Sequence, residues 1–159
     1  MNKPAILKKI IQQLRQELAL YDKAARAAHA EATHEQSKAE NKYDTRGLEA
    51  SYLARGQSRQ AAEIVQSIEQ FEQLPMKEFA KDDVIETGAL VELDQKGEKN
   101  FYFIGPRAGG TEITHDRREI LVVTPQSPLG QQLVGKKQND KWLAELAGRR
   151  RQYRIVSVW

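Results

Sequence analysis

Three carboxylates lie close together in the stretch Glu40-Asn41-Lys42-Tyr43-Asp44-Thr45-Arg46-Gly47-Leu48-Glu49. Carboxylate oxygens are hard ligands that suit Mg²⁺. That ion commonly takes only one or two of them from a protein and fills its other positions with water and phosphate. Glu40, Asp44 and Glu49 therefore suit half of a shared metal site whose other half belongs to a partner. On a helix, Glu40 and Asp44 are four apart and share a face. Glu49 opens a following helix, where an acid favours the helix dipole. Gly47 between them suits the left-handed backbone that ends a first helix. The competing reading is a solvated turn whose acids pair with Lys42 and Arg46.

The elements that must position these acids carry a seven-residue rhythm. Leu7, Ile11, Leu14, Leu18, Tyr21, Ala25, Ala28 and Ala32 recur in steps of three and four. So do Ala50, Ala54, Gln57, Ala61, Ile64, Ile68 and Phe71. Each set forms one stripe of an α-helix. The side chains shrink toward the middle of the segment and grow again beyond it. Only an antiparallel fold-back pairs large with large and Ala with Ala. The pattern predicts a helical hairpin over residues 4–74, thick at its base and slender at a tip near 40–49, with helices of about 35 residues extending roughly 50 Å. Gly56 lies inside the second helix at a cost of about 1 kcal/mol relative to Ala. A dimerisation coiled coil or a spacer is the plain alternative, but a dimer seam normally keeps large residues throughout.

Pro75 ends the helical pattern. Beyond it, short runs rich in Val, Ile, Phe, Tyr and Leu (89–93, 100–104, 119–124 and 152–158) are separated by turn signals at 94–97 and 105–110. Residues 141–146 read as a further strand. Ser127 is a natural N-cap, Pro128 suits the first helical position and Gly135 suits a stop. The whole is α+β: a coiled-coil finger over 1–75, then a domain over 76–159 made of an antiparallel sheet with one short helix.

The composition excludes several classes. With no cysteine among 159 residues, disulfides and thiolate metal sites are ruled out. No apolar run reaches the length of a membrane span. The N-terminus keeps helical periodicity and lacks a signal-peptide cleavage site, so a cytoplasmic protein is expected. His29, His34 and His115 lack ligand spacing and are expected at the surface. The Gly-rich 105–110 stretch lacks the lysine of a phosphate loop. Net charge is +3, yet Lys136, Lys137, Lys141, Arg149, Arg150, Arg151 and Arg154 crowd the C-terminal end. They form a candidate electropositive face for RNA or for acidic protein surface, with an ordinary solvated surface as the alternative.

Two stretches resemble the bacterial Gre transcript-cleavage factors and their relatives that bind the secondary channel of RNA polymerase. Leu14-Arg15-Gln16-Glu17-Leu18 is similar to the family's opening helix. Residues 122–137, including Ser127-Pro128-Leu129-Gly130 and Lys136-Lys137, are similar to its C-terminal signature of strand, Ser-Pro turn, short helix and Gly-Lys turn. The resemblance covers nearly the whole chain. It implies a C-terminal domain like that of FK506-binding proteins, docking on RNA polymerase through Ser127, Pro128, Leu129, Gly130, Lys136 and Lys137. It implies a finger that enters the channel, where Glu40, Asp44 and Glu49 help hold a Mg²⁺ shared with the polymerase beside the nascent RNA and DNA of the elongation complex. The chain would then be a monomeric accessory factor rather than an enzyme. The polymerase itself would hydrolyse the 3′ end of backtracked RNA, with no cofactor bound to the factor alone.

Two other functions compete. A regulator occupying the same channel without stimulating cleavage needs the same finger. A prolyl isomerase or chaperone needs an aromatic-lined apolar pocket, for which Phe101, Tyr102, Phe103, Tyr153 and Trp159 are the available rings, though a small sheet needs such residues simply to bury area.

Overall fold

The computed structural model describes residues 1–34, 38–40 and 45–159. Two long helices, α1 (Lys3–Thr33) and α2 (Arg46–Glu72), form an N-terminal hairpin. Six strands follow, β1 (Leu90–Gln95), β2 (Glu98–Ile104), β3 (Glu112–His115), β4 (Arg118–Val123), β5 (Lys141–Leu146) and β6 (Arg149–Val158), with the short helix α3 (Pro128–Leu133) between β4 and β5. The chain divides into two compact units. One is Leu14–Ile68, and the other joins Met1–Gln13 to Glu69–Trp159.

In the first unit the helical rhythm is what is buried. Leu14, Ala25, Ala28, Ala54 and Ile68 are buried, and Leu18, Tyr21, Ala32, Ala50, Gln57, Ala61 and Ile64 are half-buried. Arg46 Nε approaches Glu31 Oε1 at 4.0 Å, an exposed pair worth little in itself. Two local expectations change. α1 ends at Thr33, whose hydroxyl donates to the carbonyls of His29 and Ala30. Glu40 therefore lies beyond the helix rather than on its last turn. Gly47 does not end a helix. It is the second residue of α2 and has no positive φ.

In the second unit the first turns of α1 bury Ile6 and Ile10 completely and leave Leu7 and Ile11 half-buried. The buried face thus steps round by one residue from the predicted stripe, because these turns pack in the unit that holds the sheet rather than in the hairpin seam. Phe71, in the last turn of α2, sits against Phe103 of β2 with ring centroids 6.2 Å apart. The sheet order is β3-β4-β2-β1-β6-β5. Ile104, Val123, Leu133, Tyr153 and Ile155 share one core cluster. Leu90 pairs with Phe103 and is fully buried, as are its neighbour Val91 and, nearly so, Leu93. β1 is therefore covered on both faces, which is why it reads as a continuous apolar run.

Four of the five strand pairings are antiparallel, while β2 and β4 run parallel. The chain leaves β2 at Gly105 and lays β3 down one strand's width away. β4 then fills the gap between them, which forces it into the direction of β2. The sequence carries no clear strand signal at β3, which is only four residues long. Its closing turn, Asp116-Arg117, takes positive φ at both residues (50° and 61°) without the glycine that usually marks this geometry. His115 ends β3 and is buried rather than at the surface, with Nε2 3.4 Å from Asp116 Oδ2.

Gly56 lies in α2 with nothing within 4 Å of where a Cβ would stand. Gly56→Ala is expected to raise stability by about 0.5–1 kcal/mol, because it removes backbone freedom from the unfolded chain without a clash. Urea denaturation followed by helical circular dichroism measures this. An unchanged or lowered midpoint would contradict the open surface at this position.

Candidate functional site: a groove beside helix α3

The segment between β4 and α3 is wound tightly. Thr124 O accepts both the Ser127 amide (3.0 Å) and the Ser127 hydroxyl (2.8 Å). Ser127 Oγ in turn accepts the amide of Gly130 at 3.0 Å, so Ser127 is the N-cap of α3 and Pro128 begins it, as the sequence predicts. Gly135 follows the helix with φ +85°. The turn brings Gly130 so close to Thr124 that a Cβ would stand 1.9 Å from the Thr124 carbonyl oxygen. Only glycine fits there.

This turn forms one wall of a groove of about 700 Å³. Ser127, Pro128 and Leu129 line one side. Leu146, Ala147, Arg149 and Arg151 line the other, and Tyr102, Tyr153 and Gln95 complete it. Arg151 is steadied by donating to Gln95 Oε1 at 3.1 Å. Tyr153 stacks on Trp142 at 5.4 Å. Burial pushes the Tyr102 phenol above its usual pKa, and Tyr153 adds to the shift, so Tyr102 stays neutral across the physiological range. The groove is apolar on its floor and cationic on one rim, a fit for a partner that offers an apolar side chain beside a carboxylate.

The pleat of β6 divides the basic residues. Arg149 and Arg151 reach the groove. Arg154 lies by Lys141, Gln152 and Asp94 at a separate shallow recess, pairing with Asp94 at 3.2 Å. Arg150 stands across from Glu145 in the β5–β6 ladder. Lys136 Nζ lies 4.9 Å over the Trp142 ring, and the amide of Lys137 donates to Asp140 at 2.8 Å. Among the rings that an isomerase pocket would use, Phe103 is fully buried and Tyr153 nearly so. The contributions of Tyr102, Leu146 and Tyr153 to the groove were not legible in the sequence, since each sits in its own strand with no local motif.

At the hairpin end, Glu40 and Glu49 are exposed, and Asp44 lies outside the described residues. Thr45 Oγ1 donates to Glu49 Oε1 at 2.9 Å, which ties this carboxylate to the start of α2. Among the described residues no three His, Asp or Glu side chains gather as a metal-holding group. Glu40 and Glu49 have the oxygen chemistry that Mg²⁺ accepts. Leu48, Tyr52 and Leu53 in the first turns of α2 are more than half exposed, and Arg55 lies 5.9 Å over the Tyr52 ring. Among the described residues no helix is long and apolar enough to cross a membrane.

No family model matches the chain, and no curated protein does. Among solved structures it is similar to transcription factors. GreA factor homolog 1 (Gfh1) of Thermus thermophilus is 21% identical, with 94% of each chain covered and a TM-score of 0.39. Gfh1 of Thermus aquaticus is 20% identical, covering 95% of this chain and 92% of that one, with a TM-score of 0.40. The transcription elongation factor GreA/GreB from Nitrosomonas europaea is 18% identical over 65% of this chain and 78% of its own, with a TM-score of 0.36.

Gly130→Ala is expected to cost about 2–3 kcal/mol, since the atom it strikes is backbone and cannot swing aside. Ser127→Ala should cost about 1 kcal/mol through the lost cap. Thermal unfolding of the two variants should show this order. A Gly130→Ala variant as stable as Ser127→Ala would mean the turn is looser than described.

Proposed function

We propose that this chain is a transcription factor that binds RNA polymerase, docks through the groove beside α3 and inserts the hairpin tip into the secondary channel to stimulate cleavage of backtracked RNA. The observation that carries the reading is the fold of residues 122–137. The stretch that resembles the Gre signature forms strand, Ser-Pro turn, six-residue helix and Gly-Lys turn in that order, and it walls a groove with an arginine rim. In this reading Arg149 and Arg151 attract polymerase carboxylates, and the apolar floor takes a side chain between them. The finger then brings Glu40, Asp44 and Glu49 to the polymerase's own acids. There Glu40, Asp44 and Glu49 would help hold a Mg²⁺ shared with the polymerase, which would supply charge stabilisation for the reacting oxygens. The chain's part is to position ligands, so it is an accessory factor, and hydrolysis belongs to the polymerase.

One observation favours a second reading, a channel-occupying regulator that does not stimulate cleavage. Glu49 is engaged by Thr45 at the start of α2, a structural role that competes with metal ligation.

Backtracked elongation complexes mixed with the chain and Mg²⁺ separate the two. Release of 3′ RNA fragments is expected. Replacing Glu40, Asp44 and Glu49 together by Ala should reduce release by about 10²-fold or more while binding persists. Release that survives the triple change removes the tip assignment, and binding without release by the unaltered chain supports the regulator. Replacing Arg149 and Arg151 by Ala should weaken binding and its dependence on salt. If polymerase is not bound at all, the proposal fails.

A further inference from the structure

We propose that β5 is a self-pairing edge, through which two copies of this chain associate as a weak, two-fold symmetric dimer.

β5 is the last strand of the sheet order. Its turn to β6, Ala147-Gly148, has positive φ at both residues (51° and 71°). This is the geometry of a tight two-residue hairpin, which closes Leu146 and Arg149 as a hydrogen-bonded pair. Hydrogen-bonded pairs alternate along an antiparallel ladder. Trp142, Ala144 and Leu146 therefore turn their amides and carbonyls to β6, and Lys141, Leu143 and Glu145 turn theirs outward.

The opposite edge of the same sheet is guarded. β3 has four residues, and its Thr114 carbonyl accepts from Lys9 Nζ at 2.7 Å. Among the described residues no comparable bond reaches the outer edge of β5. An open edge of this kind is a template for another strand.

The side chains select the occupant. Lys141, Leu143 and Glu145 are exposed on one face, with Leu143 62% exposed. The charges lie symmetrically on either side of the leucine. When a second β5 lies antiparallel and centred on Leu143, Lys141 faces the partner's Glu145 and Leu143 faces the partner's Leu143. The same register matches the three outward-pointing residues as hydrogen-bonded pairs, so side-chain charge and backbone geometry choose one alignment. Within its own sheet Lys141 stands across from the like charge of Arg154, which is already paired with Asp94. Opposite charges across a strand pair favour it and like charges oppose it, so the partner's carboxylate improves the surroundings of Lys141. A six-residue strand pair buries well under the ~1,000 Å² of a stable interface. The dimer is accordingly micromolar and reversible, a departure from the monomer that the resemblance implies.

Sedimentation velocity of the full chain from about 5 to about 200 μM, at low salt, tests this. The sedimentation coefficient should rise toward that of a dimer with concentration. Glu145→Lys, which sets lysine against lysine, should weaken association by about tenfold or more. Adding Lys141→Glu to it should restore association. Leu143→Pro removes only an outward amide, a change edge strands tolerate, and should abolish dimerisation while the near-ultraviolet signal of stacked Trp142 and Tyr153 persists. A monomer at every concentration overturns the proposal and leaves the edge to a strand of another protein or to none. So does a dimer indifferent to the charge changes, or one that survives Leu143→Pro.

Discussion

Phe71 lying against Phe103 is the contact on which the C-terminal unit depends. It places the last turn of α2 against β2. The contact leaves no spare room. A Cβ at Gly105 would stand 2.8 Å from Phe71 Cζ and 2.7 Å from Val122 Cγ1, so the chain leaves β2 through a glycine. With one face closed by helical turns and the other by the cluster around Leu133 and Ile155, β1 and β2 are buried like the strands of a larger protein. Burial on this scale, at about 25 cal/mol per Å² of apolar surface, gives a sheet of some 80 residues a sufficient core without disulfides.

The groove is a consequence of how α3 is tied down. Two donors of Ser127 converge on one carbonyl of Thr124, and the hydroxyl oxygen accepts the Gly130 amide. This holds a helix of only six residues, too short to persist by its own propensity, in one place against the sheet. This wall faces a rim made by the β5–β6 turn with Arg149 and Arg151. A fixed apolar wall beside a cationic rim discriminates by both shape and charge, which is what a docking surface requires.

Regular helical and strand patterns were legible because each rests on local periodicity. The second helical stripe matches the buried and half-buried positions of α2 from Ala50 to Phe71. Ser127, Pro128 and Gly135 marked α3 because capping is a matter of neighbouring residues. β3 was not legible: its turn adopts positive φ at Asp116 and Arg117, a conformation imposed by the ladder rather than favoured by those residues. The end of α1 at Thr33 was not legible either, since the residues just beyond Ala32 fit a helix by propensity.

By itself the sequence determined the two helical stripes, the change of period after Pro75, the capped turn at Ser127 and the chemistry available at the acids and arginines. These are properties of neighbours along the chain. The tertiary structure alone decided the parallel pairing of β2 with β4, the burial of His115, the division of the arginines between two faces and the meeting of Tyr102, Leu129, Leu146 and Tyr153 in one groove. Those depend on which strand lies beside which, and side chains distant in sequence become neighbours only when the sheet has closed.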